Sequence, residues 1–175
     1  MILLDRLDAF DGEELTVIIE TTKGSQNKYA YDSRFGTFVL DGVLHAGAVF
    51  PFDFGFVPST IGDDGDPLDV LVLMDAAAFT GCIVASRLIG VIEAEQTENG
   101  KTFRNDRLIA VAAKSITHRS LGDISDVSND LAGQIEHFFV SYNMAKGKTF
   151  EPKGRSGRER ALALLRTGMA RAGRA

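Results

Sequence analysis

The sequence has a single cysteine among its 175 residues, no tryptophan and only three histidines. A lone cysteine excludes an intrachain disulfide, and it also excludes a zinc site built from several cysteines. Cys82 is expected to be a small buried residue, as free cysteines usually are. Because His45, His118 and His137 stand in no nucleophile motif, the sequence gives no support for a Ser-His-Asp hydrolase.

Long apolar runs and an excess of positive charge are also missing. No uncharged run approaches the roughly 20 residues of a membrane-spanning helix, and the N-terminus shows no basic start followed by an apolar stretch. A formal net charge of −5 gives no basic footprint for nucleic acid. We therefore expect a single domain over residues 1–175, located in the cytoplasm, with neither a membrane nor nucleic acid as a partner.

The sequence does contain a dense group of carboxylates. Four aspartates stand within the seven residues from Asp63 to Asp69, together with Gly65 and Pro67, just ahead of the apolar run 70–74. Clustered carboxylates repel one another unless cations lie among them, and Mg²⁺ takes oxygen ligands while recruiting substrate phosphates. The segment therefore predicts a metal-dependent site for phosphate chemistry. An acidic surface turn is the alternative, because Asp, Gly and Pro are ordinary turn residues.

Two known types of acidic motif do not match this segment. An EF-hand loop that began at Asp64 would need glycine at position six and glutamate at position twelve, where the sequence has Asp69 and Asp75. A phosphatase with an aspartate nucleophile would place its apolar strand before the acids. Here the polar residues 58–62 come first, which favours carboxylates at the start of a strand.

Short segments rich in β-branched and aromatic residues predict several strands. These segments are 15–21, 28–31, 36–40, 70–74, 82–95 and 103–113. Residues 32–35 join the second and third segments into a predicted hairpin. Asn99-Gly100 predicts a tight turn between the last two.

Two helices are predicted after the last strand. One face of the first helix carries the apolar residues Leu131, Ile135, Phe138, Phe139 and Tyr142, and Gly147 follows its end. The second helix lies near residues 157–171, where Ser156 and Glu159 match a capping box. Strands followed by helices predict a small β-barrel with terminal helices packed on it.

The segment Asp64-Gly65-Asp66-Pro67-Leu68-Asp69-Val70 resembles the signature of the soluble inorganic pyrophosphatases that use several magnesium ions. The likeness extends over roughly residues 15–150 and includes 17–20, 27–29, 50–56, 107–111 and 134–142. It implies a mainly β fold with α: a small five-stranded OB-like β-barrel with C-terminal helices packed on it. It also implies that metals and pyrophosphate meet in a pocket.

The resemblance further implies roles for individual side chains. Asp64 and Asp69 would hold Mg²⁺, and Asp66 would orient a metal-bound water and accept its proton. Glu20 would act at a further metal through a water. The groups that would contact the phosphates are Lys28, Arg107 and Tyr142.

Several positions depart from the family pattern, and most of these departures remove a polar group. The replacements with no charge are Ala30 for a glutamate, Gly42 for an arginine, Asn105 for a metal-binding aspartate and Asn143 for a lysine. Phe50, Phe54 and Phe56 keep the rings of the expected tyrosines and lose their hydroxyls. Lys146 and Lys148 are candidates to compensate for the lost cations, since lysine binds phosphate as a flexible point charge.

Asp106 is a candidate to replace the metal ligand lost at Asn105. In a regular strand, neighbouring side chains face opposite sides, so Asp106 would point away from the pocket. A β-bulge would be needed to turn its carboxylate inward. On that condition we include Asp106 among the predicted metal ligands.

The leading functional prediction is hydrolysis of inorganic pyrophosphate to two phosphates, with activity lowered by the missing phosphate contacts. The alternative is a degenerate relative that binds metal and a phosphate-bearing ligand with weak or no turnover. An OB-like oligonucleotide binder is a third interpretation, which the negative charge opposes. The resemblance also implies a homo-oligomer.

Overall fold

The computed structural model describes residues 3–173. Its helices are α1 (Asn129–Ala145) and α2 (Arg158–Ala172), and short 3-10 helices lie at Leu4–Arg6 and Ile124–Asp126. Its strands are β1 (Phe10–Asp11), β2 (Glu14–Thr21), β3 (Asn27–Asp32), β4 (Thr37–Val43), β5 (Asp53–Phe56), β6 (Asp69–Leu73), β7 (Ile83–Glu98), β8 (Lys101–Arg104), β9 (Arg107–Ala112) and β10 (Thr149–Gly157).

Five strands close into a barrel. β2 pairs with β5, β5 with β6, β6 with β9 and β9 with β7, and β7 pairs back with β2. These pairings are antiparallel except for the parallel pair of β6 and β9. The ring confirms the prediction of a mainly β fold with a small five-stranded barrel. β8 and β10 pair with β7 outside the ring, and β3 and β4 form a separate hairpin.

The strand that follows the acidic segment is buried on both of its faces. The side chains of Val70, Leu71, Val72 and Leu73 are fully buried. Because successive side chains of a strand face opposite sides, they join two different clusters. Leu71 packs in the cluster that contains α1, whereas Val72 packs in the cluster that contains α2. A strand covered on both faces needs an uncharged run, which is why its sequence does not alternate.

The first predicted helix is confirmed. The Ser128 hydroxyl accepts a hydrogen bond from the Leu131 amide at its start, as an N-cap residue should. Gly147 follows its end with a φ of 73°, a conformation in which glycine carries no steric cost. Ile135 and Phe139 are buried against the barrel, so the apolar face faces the core as predicted.

The second helix forms where it was predicted, but the capping box is wrong. Ser156 belongs to β10, and its hydroxyl donates to the Glu93 carboxylate at 2.7 Å. The Arg158 amide at the start of α2 donates instead to the Asp123 carboxylate at 2.9 Å. A carboxylate from a distant loop therefore caps α2, and local sequence spacing carries no signal for such a cap.

Two smaller expectations have different outcomes. The predicted turn is confirmed, because Glu98 pairs with Lys101 across Asn99 and Gly100, and both turn residues have positive φ, as the favoured hairpin turn requires. The burial expected for Cys82 is wrong. Its side chain is half-buried at the start of β7, beside the exposed Ile83.

We expect the Glu93→Gln substitution to destabilise the protein at neutral pH by about 1–2 kcal/mol. Glu93 connects three elements, because Arg104, Ser156 and Arg160 all donate to its carboxylate. These donors, above all Arg104, lower its pKa from 4.5 to about 2. A carboxylate with a depressed folded-state pKa stabilises the protein above its unfolded pKa, and this contribution is lost as the pH falls.

The difference in unfolding free energy between the wild type and Glu93→Gln should therefore shrink as the pH falls from about 5 towards 2. Urea unfolding followed by circular dichroism at a series of pH values measures this difference. Glu151→Gln is the matched control, since its carboxylate is largely exposed and pairs with Lys153 at the surface. A constant difference across the pH range would contradict the prediction.

Candidate active site

One cavity of about 910 Å³ gathers nearly all of the side chains singled out in the sequence. The acidic loop between β5 and β6 forms one side, and the β3–β4 hairpin and the end of α1 also contribute to its walls. The predicted site residues that line it are Glu20, Lys28, Asp64, Asp66, Asp69, Arg107 and Tyr142. The long-range pairing of the barrel thus brings together residues that are separated by more than a hundred positions in sequence.

The acidic loop is held in shape by its own backbone and by α2. Gly65 has a φ of 92°, the Gly62 amide donates to the Asp66 carbonyl at 2.7 Å, and the Asp66 amide donates to the Asp64 carboxylate at 3.1 Å. From α2, the Gly168 carbonyl accepts a hydrogen bond from the Ile61 amide at 3.0 Å. The loop therefore presents its carboxylates from a supported frame.

Asp63 has a different environment from Asp64 and Asp66 of the same loop. Its carboxylate pairs with the Arg171 guanidinium at the end of α2, so its charge is already compensated within the protein. Arg171 thereby adds a second tie between the loop and the helix. This pairing separates Asp63 from the carboxylates that lack a local cation.

Three carboxylates at the cavity have raised pKa values. Partial withdrawal from water is the main cause for Asp64 and Asp66, and the negative charge of Asp69 raises both pKa values further. Burial raises the pKa of Glu20 to about 7, although the nearby Lys28 opposes the shift. Such environments disfavour the charged form of each carboxyl group unless a cation lies close by.

Arg107 is the buried cation of the cavity. The parallel register of β6 with β9 pairs Val70 with Leu108, so Asp69 and Arg107 stand side by side at the starts of their strands. Arg107 forms an ion pair with the Asp69 carboxylate. Its guanidinium also lies 5.1 Å from the ring centre of Phe139, a position that favours a cation.

A chain of polar side chains leads from Arg107 across the wall of the cavity. Arg107 donates to the Asn105 side-chain oxygen, and the Asn105 amide group donates to the Gln96 oxygen at 2.9 Å. Gln96 in turn donates to Glu98 at 3.4 Å, whose carboxylate pairs with Lys148 at 2.9 Å. Asn105 therefore acts as a connector that orients the guanidinium.

Gln96 and Asp41 are cavity residues that were not among the site residues predicted from the sequence. Gln96 and Glu98 alternate on β7, so a shared face was readable from their spacing. Asp41 lines the cavity and contacts both Lys28 and Lys146. Asp41 contacts Lys146 because the end of α1 packs beside the β3–β4 hairpin, and no local sequence pattern indicates that packing.

Asp106 does not line this cavity but lines an adjoining one together with Asp63, Asp64 and Asp69. Its carboxylate accepts hydrogen bonds from the Ala94 amide at 2.9 Å and from Arg104 at 2.8 Å. Asn105 and Asp106 lie in the break between β8 and β9, and no bulge turns Asp106 inward. The Asp106 carboxylate is therefore held by groups of the protein itself, and its role as a metal ligand stays a prediction.

The other departures from the family pattern shape the cavity in different ways. Phe50, Phe54 and Phe56 are buried and form apolar parts of its wall, where Ala30 also lies. Asn143 is buried, and its amide group donates to the Phe139 carbonyl at 2.8 Å. Its side chain therefore bonds to its own helix and adds no charge to the cavity. Tyr142 is partly buried at the cavity, and this burial raises its pKa to about 12.

Over residues 3–173, no three His, Cys, Asp or Glu side chains are gathered closely enough to form a complete metal cluster. Glu20, Asp64, Asp66 and Asp69 nevertheless all line the one cavity. In the same part of the chain, no helix is long and apolar enough to span a membrane.

A five-stranded barrel with carboxylates and cationic groups around one cavity defines a class of protein that can bind cations and anions together. The family model for inorganic pyrophosphatase matches residues 17–173. The chain belongs to the inorganic pyrophosphatase family, which confirms the resemblance noted in its sequence.

Individual relatives agree with this assignment. The inorganic pyrophosphatase of Helicobacter pylori (strain J99) is 38% identical over 166 residues, which cover 93% of this chain and 94% of that protein. The inorganic pyrophosphatase of Synechocystis is 37% identical over 140 residues, which cover 80% of each chain. The crystal structure of inorganic pyrophosphatase from Thermus thermophilus has a TM-score of 0.89 to this fold at 34% identity, covering 98% of this chain and 99% of that chain.

Proposed function

We propose that this protein hydrolyses inorganic pyrophosphate to two phosphates with Mg²⁺ as its cofactor. The observation that carries the proposal is the meeting of Asp64, Asp66 and Asp69 with Lys28 and Arg107 in one cavity. Carboxylates there can hold cations, while ammonium and guanidinium groups can bind phosphate oxygens. Membership of the inorganic pyrophosphatase family supports the same reaction.

The residues present suit a divalent metal. Their donor atoms are carboxylate oxygens, which hard cations such as Mg²⁺ prefer. The raised pKa values of Glu20, Asp64 and Asp66 also show carboxylates held where a nearby cation would favour their charged form. In this proposal Asp64 and Asp69 hold the metal, and Glu20 acts through a water. When bound, the metal lowers the pKa of a coordinated water and neutralises phosphate charge.

Asp66 is the proposed general base. It belongs to the supported acidic loop, lines the cavity and makes no ion pair with a described residue. A carboxylate in this position can accept a proton from an attacking water. Asp66 would therefore orient that water towards one phosphorus atom and accept its proton as the bond forms.

The cationic side of the cavity binds and stabilises the phosphates in this proposal. Lys28 is mostly buried, with its side chain 14% exposed, so its charge is little screened by water. Arg107 is held towards the cavity by Asp69 and Asn105. Tyr142 keeps its proton, because its pKa is raised, and can donate a hydrogen bond to a phosphate oxygen. These groups stabilise the negative charge that moves to the leaving phosphate.

Removal of divalent metal is expected to lower phosphate release from pyrophosphate by at least about a hundredfold, since the metal supplies several kcal/mol of charge stabilisation. Colorimetric phosphate assays on chelator-treated, dialysed protein test this expectation. Readdition of Mg²⁺ should restore the rate, while Na⁺ at equal ionic strength serves as the control. Full activity in metal-free protein would contradict the magnesium requirement.

The same assay separates the proposed reaction from the alternative of a binding protein with weak or no turnover. Family membership and the intact set of three aspartates favour hydrolysis. Tight Mg²⁺-dependent binding of pyrophosphate without phosphate release would exclude it and establish the alternative.

We also propose a cytoplasmic homo-oligomer. Exposed apolar side chains support association of several copies, since Val43 on β4 is 63% exposed and Met144 near the end of α1 is 70% exposed. Multi-angle light scattering of the purified chain tests this proposal, and a monomer at micromolar concentration would contradict it.

A further inference from the structure

Gly42 on β4 leaves space that the side chain of Lys146 occupies. A Cβ atom added at Gly42 would lie 3.7 Å from Cε of Lys146 and 3.8 Å from its Nζ. A longer side chain growing from residue 42 would therefore enter the space of the ammonium group. The backbone of Gly42 does not have positive φ, so its conformation does not require glycine. The effect of glycine at this position is the space left by the missing side chain.

Lys146 reaches this position from the end of α1. It is the C-terminal capping residue, and its amide donates to the Asn143 carbonyl. The helix end also carries partial negative charge from its free carbonyls, which favours a cation nearby. The side chain then crosses the Tyr142 ring, with Nζ 4.8 Å from the ring centre. These contacts direct the ammonium group to the cavity that it lines.

Two ammonium groups meet at one carboxylate in this part of the cavity. Nζ of Lys146 lies 3.4 Å from the Asp41 carboxylate, and Nζ of Lys28 lies 3.8 Å from the same oxygen atom. Two ammonium groups thus share the Asp41 carboxylate, and Lys28 also interacts with the negative charges of Glu20 and Asp66. Two cations held together in this way are well suited to an anion with several oxygens.

We propose that Lys146 is a phosphate-binding residue whose side chain passes over Gly42 and binds pyrophosphate together with Lys28. The proposal rests on pyrophosphate being the substrate. Arg107 approaches from the start of β9, whereas Lys146 approaches from the end of α1, so the two cations contact different parts of the ligand. The cation that a side chain at position 42 would supply is instead supplied from another element, and the absence of a side chain at Gly42 makes this possible.

The decisive experiment combines loss of the Lys146 ammonium group with Gly42→Arg. Lys146→Met keeps most of the side chain and removes its charge. We expect it to raise both the KM for pyrophosphate and the Kd for methylenediphosphonate by about tenfold, the usual effect of losing one hydrogen bond to a charged group. Lys153→Met is the matched control, because Lys153 pairs with Glu95 and Glu151 and does not line the cavity.

The double variant tests whether side chains from residues 42 and 146 place a cation at the same point of the cavity. Gly42→Arg in a Lys146→Ala background, which empties the space that a methionine would still fill, should recover most of the affinity lost with the ammonium group, because an arginine from β4 can then enter that space with the same charge. Gly42→Arg alone should improve affinity far less, since Lys146 already occupies that space. Such non-additivity is expected of residues that act at one position. If Lys146 served only to stabilise the fold, an arginine introduced on β4 would not restore the affinity for the ligand.

The binding and turnover measurements distinguish two kinds of failure. Absence of phosphate release by the wild type would refute the proposed hydrolysis, while the Kd for methylenediphosphonate would still decide the role of Lys146. If Lys146→Met leaves both KM and Kd within about twofold of the wild type, a change under 0.5 kcal/mol, Lys146 only pairs with Asp41 and the inference is wrong. Loss of affinity that Gly42→Arg does not recover would overturn the shared position.

Discussion

Asp66→Asn is expected to lower kcat for pyrophosphate hydrolysis by about 10²–10⁴-fold, the contribution that a positioned general base usually makes. Asparagine has nearly the same size and can still orient a water, but it cannot accept the proton. Asp66 holds no structural ion pair within residues 3–173, so the fold should survive the change. The Kd for methylenediphosphonate should therefore change far less than kcat.

Asp63→Asn is the matched control for this experiment. It removes a carboxylate from the same loop, but Asp63 contacts Arg171 on α2 rather than the proposed attacking water. Stopped phosphate-release assays and circular dichroism on both variants make the comparison. If Asp66→Asn retained more than about a third of the wild-type kcat, a barrier change below 1 kcal/mol, the assignment of Asp66 as the general base would be wrong.

Gly55→Ala is expected to destabilise the fold by at least about 3 kcal/mol, at the upper end of the usual cost of overpacking. A Cβ atom at residue 55 would lie 1.9 Å from the Ile18 carbonyl oxygen and 2.9 Å from the Ile19 Cα atom. Both clashes are with backbone, so no side-chain rotation can relieve them. The two strands would have to separate where β5 pairs with β2.

The clash at Gly55 would also affect the active site, because β2 carries Glu20 just beyond the clash. Gly133→Ala is the control. Gly133 lies in α1, its added Cβ would meet no atom closer than 3.9 Å, and alanine favours a helix by about 1 kcal/mol relative to glycine. Urea unfolding followed by circular dichroism should thus show opposite shifts in the two variants. Equal stability of Gly55→Ala and wild type would contradict the strand contact.

Residue types within single segments were enough to predict a strand, a turn, a helix and a cation site. Residues 70–74 predict a buried strand because no charge interrupts their apolar side chains, and Asn99-Gly100 predicts a turn because both residues tolerate positive φ. The spacing from Leu131 to Tyr142 predicts a helix because its period matches one helical face. The acidic segment predicts a cation site because four neighbouring carboxylates need compensation.

The tertiary structure decided which of these groups act together. Asp123 caps α2 from a remote loop, and Asp106 points to Ala94 and Arg104 rather than to the cavity. These outcomes depend on strand register and on the break between β8 and β9, which residue types in one segment do not encode.

The sequence by itself predicted the strands, the helices and the carboxylate cluster through hydrophobic period, turn chemistry and charge density, while its resemblance to the family implied the five-stranded barrel. Only the tertiary structure decided that Asp63 is paired with Arg171, that Asn105 orients Arg107, and that Lys146 lies over Gly42. The physical reason is that a pattern along the chain reports a residue's own preference. A contact between remote elements also depends on how the whole barrel closes and where each helix returns.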